Sequence, residues 1–407
     1  MVDMRFSRMA GRLRRTEIRE LLKLTRMPGT ISFGGGLPDP SIFPYAAVES
    51  AALRAIREKG KLALQYSPTE GEPFLKEQIA AFTERQGEKV RPEDILVVAS
   101  SQQALDLLGK IFIDPGDPII IERPTYVGAI QAWRAFDADF VGVDMDDDGI
   151  IPEKLETAVI RLMKDGRKPG FVYLIPDFQN PSGINLTLER RRKVLEIASA
   201  HDLVIIEDSP YRELRYSGKL IDSLYSLDRE GRVIQMKTLS KVFCPGFRIG
   251  WIAAPQQVLE KLVMAKQGTD LCTSAFVSIL AGYLFQDGYI EKQIEISKEL
   301  YARKARVMLE ALEEHMPDIE GVSWSKPEGG MFLWLRLPEY MDVVEMIGEA
   351  VELQVAFVIG TCFYTDGSGH HEMRLNYSYP TDTQIVEGIK RIAELVKRRV
   401  KAGVGVE

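Results

Sequence analysis

The chain has 407 residues, 45% hydrophobic and 27% charged, which suits more than one folded core and excludes extensive disorder. Its 52 basic and 59 acidic residues leave a net charge of −7, so nucleic acid and anionic membranes exert no general attraction. The longest apolar runs, such as LVIIE at 203–207, fall far short of the ~20 residues that span a bilayer. Small-molecule chemistry is the remaining default.

The Arg-rich residues 1–16 read as an N-terminal arm lying on a partner subunit rather than as a transit peptide. TEIRELLKL (16–24) predicts a short helix. From 51 to 290, β-branched runs alternate with amphipathic helical segments, the signature of a parallel sheet covered by helices. Seven strands are predicted: DILVVAS (94–100), PIIIE (118–122), DFVGVD (139–144), FVYLIP (171–176), LVIIED (203–208), RVIQMK (232–237) and RIGWIAA (248–254). Helices such as SQQALDLLGKIFI (101–113) and LERRRKVLEIASAHD (188–202) lie between them. The pattern then changes. A long helix ends near 316, GVSWSKPEGGMFLWLRLP (321–338) alternates like a hairpin, VAFVIG and MRLNYSY read as strands, and a helix closes the chain. The expected division is an arm (1–16), a large α/β domain (51–290), and a smaller α+β domain made from 17–50 and 291–407.

Parallel α/β sheets bind ligands beyond the carboxyl ends of their strands, so chemistry is expected there. Asp208 closes one strand, where a desolvated carboxylate needs a positive partner such as a protonated pyridine nitrogen. Tyr211 and Asn180 follow strand ends and offer a phenol and an amide to a phenolate oxygen. Lys241, just beyond RVIQMK, can form an imine with an aldehyde, and Arg248 presents a fork of donors suited to a phosphate. These are the handles of pyridoxal 5′-phosphate. Ser101 and Gln102 open a helix after a strand, where free N–H groups and the helix dipole favour a phosphate, and Tyr126 is placed to stack on the pyridine. Cys244, Cys272 and Cys362 are scattered and lack metal-ligand spacing, which predicts a cytoplasmic protein without a metal site. His201, His315, His370 and His371 lie outside all of these motifs, and a lysine base makes a histidine base unnecessary.

The chain resembles fold type I pyridoxal-phosphate enzymes of the class I/II aminotransferase family, and within it the 2-aminoadipate and kynurenine aminotransferase II subgroup. The resemblance rests on SFGGGLPDPSIFP, LQYSPTEGEPFLKEQIA, SSQQALDL, RPTYVGA, QNPSG, EDSPY, TLSKVFCPGFRIG, EGGMFLWL and MRLNYS, which occur in family order across nearly the whole chain. It implies an aspartate aminotransferase-like fold, with a large cofactor-binding domain on a mostly parallel seven-stranded sheet and a smaller domain. It makes Lys241 the lysine that anchors the cofactor and moves the substrate proton. Asp208 would keep the ring nitrogen protonated, and Tyr211 with Asn180 would hold the ring oxygen. Ser101, Gln102, Ser240 and Arg248 would hold the phosphate, joined by Tyr66 from a neighbouring subunit, which makes the active unit a homodimer with shared sites. Arg374 would grip the substrate α-carboxylate, and Gly36 would leave room for substrate.

The implied reaction is ping-pong transfer of an amino group from an L-amino acid (2-aminoadipate, glutamate, aromatic or branched-chain) to a 2-oxo acid such as 2-oxoglutarate. Arg19 either recognises a side-chain carboxylate or is a solvated helix residue paired with Glu17 or Glu20. A β-lyase on the same scaffold is the alternative activity. A transcription regulator built on such a domain is not expected, because only about thirty residues precede GGG, too few for a winged helix. The chain departs from the family pattern at Ser100, where a glycine commonly precedes the SQQ motif, and in VIGTCF (358–363), which lacks a proline before its glycine.

Overall fold

The computed structural model of the chain describes residues 4–13 and 29–404, the last four by backbone alone. All seven predicted strands form, and they share one mixed sheet. In sheet order they are Ile95–Val98, Gly250–Ala253, Val233–Thr238, Ile205–Asp208, Val172–Leu174, Pro118–Arg123 and Asp139–Asp146. Neighbours from Val233–Thr238 to Asp139–Asp146 pair in parallel, whereas Gly250–Ala253 runs antiparallel to both of its neighbours. The two-residue strand Gly149–Ile150 adds an eighth member by folding back on Asp139–Asp146. It is too short to give a periodicity in the sequence.

Burial on both faces explains the continuous apolar runs of these strands. Alternate residues feed two cores: Ile206, Ile234 and Met236 enter one, and Ile205 and Val233 the other. In the first core, buried Trp133 donates its indole N–H to the Leu105 carbonyl at 2.9 Å. It also meets Phe171 and Tyr173 edge-on at 4.9 Å, contacts worth about 0.5–1.5 kcal/mol each. Trp133 thereby ties helix Val127–Arg134 to helix Ser101–Phe112.

A second sheet, wholly antiparallel, has the order Ser323–Trp324, Phe332–Arg336, Glu372–Asn376, Val358–Ile359. Helices Tyr289–His315 and Asp382–Val404 pack together beside it. The stretch VAFVIG does not act as one strand. Val355–Ala356 pairs in parallel with Ile31–Ser32, and Val358–Ile359 joins the small sheet. Among the described residues no helix is long and apolar enough to cross a membrane.

Candidate active site

A cleft opens at the carboxyl ends of the parallel strands and encloses about 650 Å³, its open mouth included. Asp208, the last residue of its strand, is 2% exposed. Its Oδ2 accepts from the Tyr173 hydroxyl at 2.8 Å, and its Oδ1 has no partner among the described residues. Burial pushes this carboxyl up to about 7, against the pull of the Tyr173 bond and of Lys241. One carboxylate oxygen is thus left for a donor that no described residue supplies.

Lys241 sits in the helical turn Leu239–Val242, which Thr238 starts by accepting from the Ser240 N–H at 3.1 Å. Its amine donates to the Gly36 carbonyl at 2.8 Å and forms no salt bridge with any described carboxylate. Burial, with Arg374 and Arg248 nearby, lowers it to about 8. An amine so poised is uncharged for a useful fraction of the time near neutral pH, as a nucleophile or proton carrier must be.

Asn180 links the two sheets. Its amide donates to Tyr211 at 3.3 Å, and its oxygen accepts from Arg374 Nη1 at 2.9 Å. Arg374 Nη2 reaches the Gly34 carbonyl at 3.0 Å, while Nε is buried without a partner among the described residues. The guanidinium lies 4.1 Å from the ring centroid of Phe332 and 5.1 Å from that of Phe363. With no acid beside it among the described residues, burial lowers it to about 10. A Cβ on Gly36 would come 3.1 Å from Phe332 and 3.8 Å from Lys241 Nζ, so a side chain there would crowd the amine.

At the other end, Ser101 opens a twelve-residue helix and keeps a buried Oγ without a partner. Arg248 donates to Ser240 Oγ at 3.4 Å and to Ser100 Oγ. Gln102 lines the cleft but turns its amide to the Gly128 carbonyl at 3.2 Å. Tyr126 lines the same cleft, and its ring occupies the space that a Cβ on Gly128 would need. Tyr66 points outward, 78% exposed. Arg19 lies outside the described residues.

These groups match the handles read from the sequence: a carboxyl oxygen without a donor among the described residues, an amine held by a backbone carbonyl rather than a carboxylate, and a hydroxyl, guanidinium and helix start suited to a phosphate. The model of the family "Aminotransferase class I and II" matches residues 40–392. The chain belongs to that family. Pyridoxal 5′-phosphate is accordingly the cofactor of this aminotransferase. It is 44% identical over 397 residues to aromatic-amino-acid aminotransferase 1 of Thermococcus litoralis, covering 97% of this chain and 95% of the relative. It is 41% identical over 395 residues to the 2-aminoadipate transaminase of Thermus thermophilus, covering 96% of each. Among solved structures, Pyrococcus horikoshii kynurenine aminotransferase in complex with PMP superposes with a TM-score of 0.93 at 42% identity, covering 97% of both chains.

Several contacts of this aminotransferase escape a sequence reading. Tyr173 carries the only signal, a lone hydroxyl in an apolar strand that pairs with Ile206, two residues short of Asp208. Phe332, Phe363 and the Gly34 carbonyl reach Arg374 from distant segments and leave no local mark.

Proposed function

We propose that this aminotransferase takes amino groups from both acidic and aromatic L-amino acids and delivers them to a 2-oxo acid, 2-oxoglutarate foremost, in ping-pong order. The observation that carries the reading is an amine with no carboxylate partner and a carboxyl oxygen with no donor, among the described residues, lining one cleft. The printed activities of the relatives, on aromatic amino acids, 2-aminoadipate and kynurenine, support a broad donor range.

When bound, pyridoxal 5′-phosphate supplies an aldehyde for attachment and a ring that accepts the electron pair left on the substrate Cα. Lys241 would anchor it and carry the proton at Cα. Asp208, held by Tyr173, would keep a proton on the ring nitrogen, while Tyr211 and Asn180 would hold the ring oxygen. Ser101, Gln102, Ser240 and Arg248 would receive the phosphate, and Tyr126 would cover the ring. Arg374 binds the substrate α-carboxylate, and Asn180 orients Arg374. The open space at Gly36 admits the substrate.

The same reading makes the active unit a cytoplasmic homodimer in which Tyr66 reaches the partner's phosphate site; its outward exposure supports this. The described part of the arm is fastened to its own chain by Arg12 and Asp137 at 2.6 Å. The division into 51–290 and a second unit drawn from 17–50 and 291–407 is supported by the pairing of Ile31–Ser32 with Val355–Ala356.

A donor panel with 2-oxoglutarate tests the proposal, comparing 2-aminoadipate, glutamate, kynurenine, phenylalanine and leucine. Parallel initial-velocity lines with both acidic and aromatic donors are expected. Intersecting lines would overturn the ping-pong order, and pyruvate released from β-chloroalanine without any acceptor would replace the proposal with a lyase reading.

A further inference from the structure

Ser100 occupies a backbone conformation that a side chain normally avoids. Its φ of +73° and ψ of 170° fall in a region populated almost wholly by glycine. The surroundings give it no escape. Its N–H donates to the Val98 carbonyl at 2.8 Å, and its own carbonyl accepts from Gln103 N–H at 3.1 Å. Across the sheet, even a Cβ on Gly250 would lie 3.0 Å from the Ser100 Cα, so the two backbones are in close contact. A glycine would take this conformation without strain. The serine brings one thing a glycine lacks, a hydroxyl, and that hydroxyl accepts from Arg248 Nη2.

Arg248 needs such a tether. It lies exposed on the cleft rim, in a left-handed conformation with φ 52° and ψ 46°, and forms no salt bridge with any described residue. Its other contacts, to Ser240 Oγ and the Pro245 carbonyl, are both long at 3.4 Å and both involve Nη1. Without Ser100 the Nη2 edge would be loose, and a mobile guanidinium must lose its rotamer freedom on binding an anion.

We propose that Ser100 is a positioning residue that fixes the Arg248 guanidinium for the cofactor phosphate before the cofactor arrives, at the expense of local backbone strain. The inference rests on the assignment of Arg248 to the phosphate, and the experiment separates the two. Apo-protein is titrated with pyridoxal 5′-phosphate and with pyridoxal, which lacks the phosphate, in wild type, Ser100→Ala, Ser100→Gly, Arg248→Ala and the Ser100→Ala/Arg248→Ala pair. Both Ser100 variants are expected to weaken pyridoxal phosphate about tenfold, the loss of one charge-assisted hydrogen bond, and to leave pyridoxal unchanged. In the Arg248→Ala background the Ser100 substitution should add nothing. Ser100→Gly should also melt above Ser100→Ala, because it alone relieves the strain. Unchanged phosphate-dependent affinity in both Ser100 variants, or an equal loss in the Arg248→Ala background, overturns the proposal. Full affinity in Arg248→Ala itself would instead remove the assignment on which it rests.

Discussion

Two lysines four residues apart, on the same strand and its following turn, meet opposite fates. Lys237 is buried with Glu88 and Glu213 on its ammonium, the latter at 2.9 Å, and the two acids outweigh burial to raise its pKa. Lys241 has only a carbonyl among the described residues, and burial with two arginines lowers it to about 8. The acids divide in the same way. Glu88, among Lys237, Arg212 and Gln235, overcomes burial and falls to about 2, while Asp208 rises to about 7. Depth alone does not make a group reactive. The difference lies in whether the protein supplies the counter-charge or leaves it to a ligand.

The comparison breaks most sharply by substitution. Lys241→Ala should lower turnover at least about 10⁴-fold with the fold intact, read by single-turnover kinetics and a thermal melt. Lys237→Ala should do the reverse. It removes the cation shared by Glu88 and Glu213, leaving Glu88 with Arg212 at 3.6 Å, and should cost about 3–5 kcal/mol in urea unfolding, with turnover per folded molecule nearly unchanged. Equal effects of the two on turnover would erase the distinction.

Asp208→Asn should cost about 10³-fold in turnover and yet stabilise the apo-protein by about 2 kcal/mol, because it removes a buried charge that only a ligand can balance. Glu88→Gln should destabilise without a comparable loss of rate. Acid separates these acids further. The proton taken up by Asp208 strengthens the fold as pH falls from above 7 toward 3.8, so the advantage of Asp208→Asn should fade over that range. Glu88 stabilises above 4.5 and loses its contribution as pH falls toward 2, so the gap between wild type and Glu88→Gln should close there. Apo-protein melts across pH would measure both. The smallest effect is kinetic: capture of the cofactor by apo-protein should quicken as pH rises and level off above about 8, where Lys241 is uncharged.

The cofactor-binding side was the more legible part of the sequence. A parallel strand buried on both faces must be apolar throughout, so polar residues such as Asp208 and Lys241 stand out where such runs stop. Asn180, Tyr211 and Arg248 follow from the same logic, and the structure gathers them around one cleft. The opposite face was not legible in this way. Glu88 and Lys237 are 149 residues apart in sequence, and nothing local announces that they meet. Long-range pairing also explains why VAFVIG was read as a single strand. Only the partners of Val355 and Val358, Ile31 and Arg374, reveal that it serves two sheets. Ser100 was legible as a departure from the family pattern, but its positive φ was not.

The reversed strand Gly250–Ala253 has a geometric consequence for the chemistry. Because it runs against Val233–Thr238, its entry point lies beside that strand's exit. One short connection therefore carries both the amine and the guanidinium, with no crossover helix between them. The spacing from the Lys241 amine to the Arg248 guanidinium is set by a covalent ruler of eight residues rather than by how separate elements dock. Lengthening that loop by one residue would uncouple anchoring from anion capture while leaving each group intact.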